Sequence, residues 1–290
     1  MKVTYYPGCS LEGTARDYAD SIHAVCSALG IELQEVEDWN CCGATAAHSV
    51  NHKASIELAG RNLKLASKAA NEDMLVPCPL CYNRLKTAAH ALGGEDRHRY
   101  EIQLGARTPK IWDLANFFAS DDMLAKIVSR VKKPVENLKV VCYYGCQASR
   151  PPHITGAVDY ENPQSMDRIM KAVGATPISW PYKTDCCGAS LMISRPDMGS
   201  RLVGKLYDMA NRVGAQAIVV SCQMCQSNLD MYQERIEADW GRKLALPVLY
   251  FTELIGLAWG LPGIDSLLSR HFADPRPLLR DTGLIKEKVA

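Results

Sequence analysis

The sequence predicts an α/β fold of two Rossmann-like halves with mainly parallel sheets, related by a pseudo-twofold axis and each built to hold a metal centre. Ten of its twelve cysteines fall into two ordered sets of five: Cys9, Cys41, Cys42, Cys78 and Cys81, then Cys146, Cys186, Cys187, Cys222 and Cys225. The gaps between thiol groups are alike, 31 then 35 residues in the first set and 39 then 34 in the second. Their flanks repeat as well: YYPGC with YYGC, NCCGA with DCCGA, VPCPLC with VSCQMC. Between the thiols, short β-branched and aromatic runs alternate with helical periodicity, the pattern of βαβ units and a parallel sheet.

Each half opens with a strand, over residues 2–6 and 139–144, that ends at a Gly-Cys turn. In the first half an amphipathic helix follows over 16–29, with Gly30 as its C-cap, and then a strand over 32–36 leading into Cys41. In the second half residues 164–173, Gly174 and 176–180 take the same order before Cys186. A further helix is expected over 54–70 and 197–213, then strands 74–76 and 217–220 running directly into each C-x-x-C. A last strand is expected at 110–112 and 247–250. Every thiol group therefore lies just past a strand C-terminus, the edge where open α/β sheets place ligands.

The expected domains are 1–120 and 138–261, joined by a polar linker over 121–137. Residues 262–290, with Pro275 and Pro277, read as an extended C-terminal arm. A chain of 290 residues can bury a real core in two such units. A net charge of +1 and the lack of any Lys/Arg run give no reason to expect nucleic acid as a partner. The start lacks an apolar signal region, and the most apolar stretch, 244–261, is broken by Pro247 and Glu253. The expectation is a cytoplasmic chain with no direct membrane span, whose thiols serve metal or redox chemistry rather than a disulfide framework.

Four thiolates suffice for a zinc site or a [4Fe–4S] cubane, so five per half is one more than either needs. Adjacent cysteines point to opposite faces of a regular strand, so both reach one centre only if the backbone wraps around it. Gly43 and Gly188, directly after the pairs, permit that close approach. Two zinc sites with a spare thiol each, or C-x-x-C dithiols, remain open, although dithiols leave the Cys-Cys pairs unexplained. Cys26, in an apolar helix, and Cys142, in a strand, read as core thiols.

These residues resemble the CCG cysteine-rich domain, whose pattern is C, a gap of thirty-odd residues, C-C-G, a similar gap, then C-x-x-C. Two copies over most of the chain are similar to the B subunit of heterodisulfide reductase and its relatives. The slightly short 34-residue gap before Cys222 is assigned to a trimmed loop. The resemblance implies two noncubane [4Fe–4S] clusters, one held by Cys9, Cys41, Cys42, Cys78 and Cys81, the other by Cys146, Cys186, Cys187, Cys222 and Cys225. It implies the catalytic iron–sulfur subunit of a heterodisulfide reductase-type complex, cleaving or forming a disulfide between the clusters, each contributing one electron.

The implied partners are a C subunit with ferredoxin-like cubane clusters, a flavin-bearing A subunit, and a small-molecule or carrier-bound disulfide or thiol substrate. In the family this substrate is the mixed disulfide of coenzyme M and coenzyme B. Other relatives act in sulfur-oxidising complexes on lipoate-bound sulfur. Some two-copy CCG proteins are electron-transfer subunits of lactate, glycerol-3-phosphate or succinate-type dehydrogenases. An open, partly cationic pocket between the clusters would separate substrate chemistry from a relay.

No G-x-G-x-x-G follows a strand, so electrons must come from a partner. The apolar residues 254–261 and the 275–277 arm are the expected docking surface. Candidate catalytic residues are His153, Arg150 and Lys183, with His48 and His52 beside Cys42, as proton donors or anion ligands in loops bordering the thiols.

Overall fold

The computed structural model describes residues 1–44, 46–69, 71–105, 107–241 and 243–286. Two separate four-stranded sheets are present, ordered β2-β1-β3-β4 and β6-β5-β7-β8. The first contains β1 (Lys2–Tyr5), β2 (Glu32–Glu35), β3 (Asp73–Val76) and β4 (Lys110–Asp113). The second contains β5 (Lys139–Tyr143), β6 (Thr176–Pro177), β7 (Ala217–Val220) and β8 (Val248–Tyr250). Every pairing is parallel, and the strand order is the same in both halves. The duplicated α/β architecture read from the sequence is therefore the observed one.

Local chemistry explains the elements. β7 is AIVV and wholly buried, as a central parallel strand covered on both faces must be. The helix Arg16–Ala28 ends where Gly30 adopts φ +70°, with Ile31 N–H returning to Cys26 C=O at 2.9 Å. Gly174 closes Ser165–Ala172 in the same way at φ +92°, with Ala175 N–H on Met170 C=O. The helix expected over 54–70 runs His52–Ala66, because the Asn51 side chain caps the Ala54 N–H at 3.0 Å. Ala70 lies outside the described residues.

One core spans the two halves, and a second packs within the first half around Tyr6, Leu63 and Leu85. Tyr18 stacks on Tyr250, 4.0 Å between centroids at 5°, and its hydroxyl donates to Ser221 C=O across the junction. Ser21 and Thr252 hydroxyls meet at 2.6 Å beside them. A single apolar cluster runs from Val3 and Ile22 to Tyr250 and Leu268.

Three expectations are corrected. The region 121–137 is not simply a polar linker: Asp121–Ser129 is a helix burying Met123 and Ile127, four residues apart on one face. The region from 262 onward is not an extended arm. It forms the turns Ile264–Leu267, Leu268–Arg270 and Arg276–Asp281, and buries Ile264, Leu267, Leu268, Leu279 and Leu284. Residues 287–290 lie outside the described region. Finally, the helix Phe251–Trp259 is buried on every side, so residues 254–259 are core rather than docking surface, and only Gly260 and the half-buried Leu261 reach the surface. Their apolar run fills the junction between the halves and the folded tail. Among the described residues no helix is long and apolar enough to cross a membrane.

Candidate metal centres

Parallel sheets place all strand C-termini on one edge, and that edge gathers the thiols. Cys9 follows β1, Cys41 and Cys42 follow β2, and Cys78 ends the segment after β3 as N-cap of the helix Pro79–Gly93. Cys146, Cys186, Cys187 and Cys222 repeat this after β5, β6 and β7, with Cys222 capping the helix Gln223–Asp230. Cys42 Sγ lies 3.2 Å from Cys81 Sγ, and Cys187 Sγ lies 3.6 Å from Cys225 Sγ. Each Cys-Cys loop is tied down by a tyrosine one strand away. Tyr6 donates to Asn40 C=O at 2.8 Å, and Tyr143 to Asp185 C=O at 2.7 Å, in both cases the residue before the pair.

Gly8 and Gly145 show how close the backbone comes to the sulfurs. Both have positive φ, +73° and +67°, and a Cβ there would meet Cys81 Sγ at 3.0 Å and Cys225 Sγ at 2.9 Å. Gly145→Ala is therefore expected to displace Cys225 and empty the second centre of iron, leaving the first loaded. Iron content close to wild type in the purified variant would refute this.

Crowding of the thiols sorts them into thiolates and thiols. Hydrogen bonds from Cys41, then Cys81, push Cys42 down to about 4, and one from Cys81 lowers Cys78. A hydrogen bond from Cys146 brings Cys186 down to about 6, and one from Cys225 lowers Cys187. Each donor thiol is pushed up by the same bond. A cationic metal would relieve this by favouring the thiolate form of the cysteines that hold it. The donor set is soft and sulfur-only, on apolar walls, and is bordered by glycines where side chains would collide. It fits an iron–sulfur centre in each half.

Several polar groups aim at the sulfurs. Gln223, 4% exposed, donates Nε2 to Cys78 Sγ at 2.8 Å, crossing from the second half to the first. Asn228 Nδ2 lies 3.5 Å from Cys187 Sγ, Gly188 N–H 3.3 Å from Cys186 Sγ, and Gln147 Nε2 3.7 Å from Cys146 Sγ. Arg84 is half-buried; burial lowers its pKa and the nearby Cys42 opposes that shift. Sequence reasoning missed these groups. Helical spacing hinted at Arg84 alone, three residues after Cys81, whereas Gln223 gave no local signal because its partner Cys78 lies in the other half.

The predicted catalytic side chains are not brought together. Lys183 is 2% exposed and bonds Asp167 Oδ1 and Pro163 C=O, each at 3.0 Å, so it is a structural ion pair. Lys183→Met should destabilise the fold by about 3–5 kcal/mol by orphaning Asp167, measurable by urea denaturation. Arg150 is exposed, and its guanidinium reaches Thr184 Oγ1 at 3.0 Å, near Cys186 in sequence. His153 is exposed and packs edge-on against His90, 6.2 Å between centroids. His90 stands nine residues past Cys81, about 14 Å along that helix. His48, on the short helix Ala47–Val50, and His52, at the start of the helix His52–Ala66, are both exposed. Cys26 and Cys142 are fully buried core thiols, Cys142 pushed up chiefly by burial.

Comparison with known proteins agrees with this geometry. The cysteine-rich domain family CCG matches residues 3–86 and 140–230, covering both thiol sets. The chain is 32% identical to the 8-methylmenaquinol:fumarate reductase membrane anchor subunit of Wolinella succinogenes, over 94% of this chain and 98% of that one. It is 26% identical to a protein of Archaeoglobus profundus named as like the B subunit of heterodisulfide reductase, over 90% and 91%. It is also 26% identical to the B subunit of the ferredoxin:CoB-CoM heterodisulfide reductase of Methanosarcina mazei, over 89% of each. A crystal structure of a hypothetical protein from Helicobacter pylori shares the fold, with TM-score 0.72 and 13% identity. The match covers 94% of this chain but only 52% of that one. The chain belongs to the CCG cysteine-rich family, in the two-copy form shared with the B subunit of heterodisulfide reductase.

Proposed function

We propose that this chain is the electron-transfer subunit of a multisubunit oxidoreductase of the quinol:fumarate reductase type. Its two sets of five cysteines would hold noncubane [4Fe–4S] clusters working in series. The observation that carries this is the graded exposure of the thiols. Cys9, Cys41 and Cys186 face solvent, whereas Cys42, Cys78, Cys81, Cys187, Cys222 and Cys225 are buried, and Gln223 reaches Cys78 from the other half. Each set thus has an outer edge open to a partner and an inner edge facing the other set. Bound clusters supply one-electron acceptance and donation at each set.

The protein's own groups shape that path. Gln223 spans the inner edges, its amide donating to Cys78 from the residue next to Cys222. All five cysteines of the second set line one small space, which Pro79 and Leu80 of the first half close from the other side beside Tyr143 and Met224, with no Lys, Arg, His, Asp or Glu in its wall. A centre held there would be covered on the first half's side by apolar residues, which suits a relay. Hydrogen bonds to Cys78, Cys186 and Cys187 stabilise sulfur charge, which raises reduction potential.

A second reading is cleavage or formation of a disulfide between the sets. It is favoured by likeness along nearly the whole chain to proteins named as the B subunit of heterodisulfide reductase, or as like it. In both readings other subunits, carrying cubane clusters and flavin, would supply or withdraw the electrons. The deciding experiment reduces the anaerobically purified protein and mixes it with quinone, fumarate-reductase partner or disulfide, following both EPR signals and free thiol. Thiol release in step with reoxidation would overturn the relay.

A further inference from the structure

The two halves leave two cavities at their junction that are pseudo-symmetry mates. Each lies between the helix after one half's C-x-x-C and the segment after the other half's first cysteine. Tyr82 and Lys86 line one, one and five residues past Cys81; Gln226 and Asp230 line the other, one and five past Cys225. The Asp230 cavity, about 300 Å³, is partly filled by the chain itself. Asp230 accepts the N–H groups of Phe272 at 2.8 Å and Ala273 at 2.9 Å, and Arg270 and Phe272 form its wall. The Lys86 cavity is about 570 Å³ and has no such plug. One wall is the irregular stretch 156–163, which belongs to the segment where the second set's first gap is eight residues longer than the first set's.

We propose that the Lys86 cavity binds a small molecule carrying a flat unsaturated ring and a carboxylate, phosphate or sulfonate group. Lys86 is half-buried and forms no ion pair among the described residues, whereas its mate position carries Asp230. Charge at this position has inverted, from an acid engaging the chain's own amides to a cation open to a ligand. Ser149, 3% exposed, also lines the cavity, and its hydroxyl has no hydrogen-bond partner. A buried hydroxyl without a partner is costly unless a ligand satisfies it. Tyr82, Trp112 and Tyr144 supply aromatic surface for a ring. Lys110 is committed to the Trp112 face at 3.6 Å, and Arg168 to Asp121 at the rim, which leaves Lys86 as the anion's partner. Tyr82 directly follows Cys81 and Tyr144 precedes Cys146 by two residues, so the cavity wall is continuous in sequence with both thiol sets, although no cysteine lines it.

This site is independent of the relay reading and is tested by binding alone. Isothermal titration of the anaerobic, iron-loaded full chain would use phenyl phosphate, benzoate, cyclohexanecarboxylate and inorganic phosphate. The expected result is one site for at least one aromatic anion, with the saturated acid and inorganic phosphate roughly tenfold weaker or more. Lys86→Glu should weaken the aromatic probe by roughly tenfold or more, Ser149→Ala by a smaller factor, both with unchanged iron content. Arg16→Glu, in the mate cavity, should leave binding intact. Failure of both aromatic probes to bind at millimolar concentration would overturn the proposal. So would undiminished binding in Lys86→Glu, inorganic phosphate binding as tightly as phenyl phosphate, or loss of binding in Arg16→Glu.

Discussion

Cys222→Ser is expected to stop electron throughput in the assembled complex rather than halve it. Cys222 sits at the buried inner edge of the second set, and the adjacent Gln223 reaches across to Cys78. With the two sets in series, loss of the inner ligand of one leaves no route past the other. Loss of groups that merely orient a metal's ligands already costs roughly 10–100-fold, so loss of a ligand should cost at least a hundredfold. The Cys9–Cys81 set should keep its iron and its EPR signal, because its own thiols and the Gly8 turn are untouched. Rapid-freeze EPR should then show electrons accumulating in the first half. Throughput near half of wild type would refute the series arrangement, and disulfide cleavage at an undiminished rate would refute both functional readings.

A second large effect is expected at the buried pair His271–Glu253. Nε2 of His271 lies 2.9 Å from Glu253 Oε1, and both side chains are wholly buried. Glu253 Oε2 meanwhile accepts the Tyr250 N–H that starts the helix Phe251–Trp259. Burial opposes the charge on His271, but Glu253, with Asp230 and Asp17 nearby, outweighs it and lifts the group from 6.5 to about 9. A folded-state value above the unfolded one means the stabilisation is full below pH 6.5 and disappears as pH rises through about 9. Burial also raises Asp17 and Asp230, so their contribution likewise favours the lower end.

Glu253→Gln should therefore cost roughly 3 kcal/mol near pH 6, from leaving one buried charge unpaired. The gap from wild type should close towards pH 10. The tail should loosen with it, because His271 anchors residues 262–286 to the junction. Urea denaturation across this pH range, with proteolysis of the tail in parallel, measures both. A gap that is constant from pH 6 to pH 10 would show that His271 carries no charge in the folded protein.

The sequence by itself determined the duplication, the parallel α/β architecture and the placing of cysteines just past the strand ends. These are legible because they are local or periodic. A parallel βαβ unit writes its strands as β-branched runs, its caps as Gly30 and Gly174, and its edge ligands as cysteines just past each strand. Arg84, Gln223 and Asn228 could be placed beside the sulfurs only once the helices had been oriented.

Tertiary structure alone decided what each exposed-looking residue does. Lys183, next to the Cys186 loop in sequence, turns inward because Asp167 waits on the helix Ser165–Ala172. The apolar run 254–261 reads equally well as docking surface or core. The choice was made by the folded tail and by the Tyr18–Tyr250 stack, which bury it from two sides. The tail's proline content suggested an extended arm, but Leu268, Leu279 and Leu284 had an apolar surface to cover, and burying them outweighed local preference. The differing fates of the two junction cavities depend on which half's loop meets which helix. That is a long-range relation that no window of sequence contains.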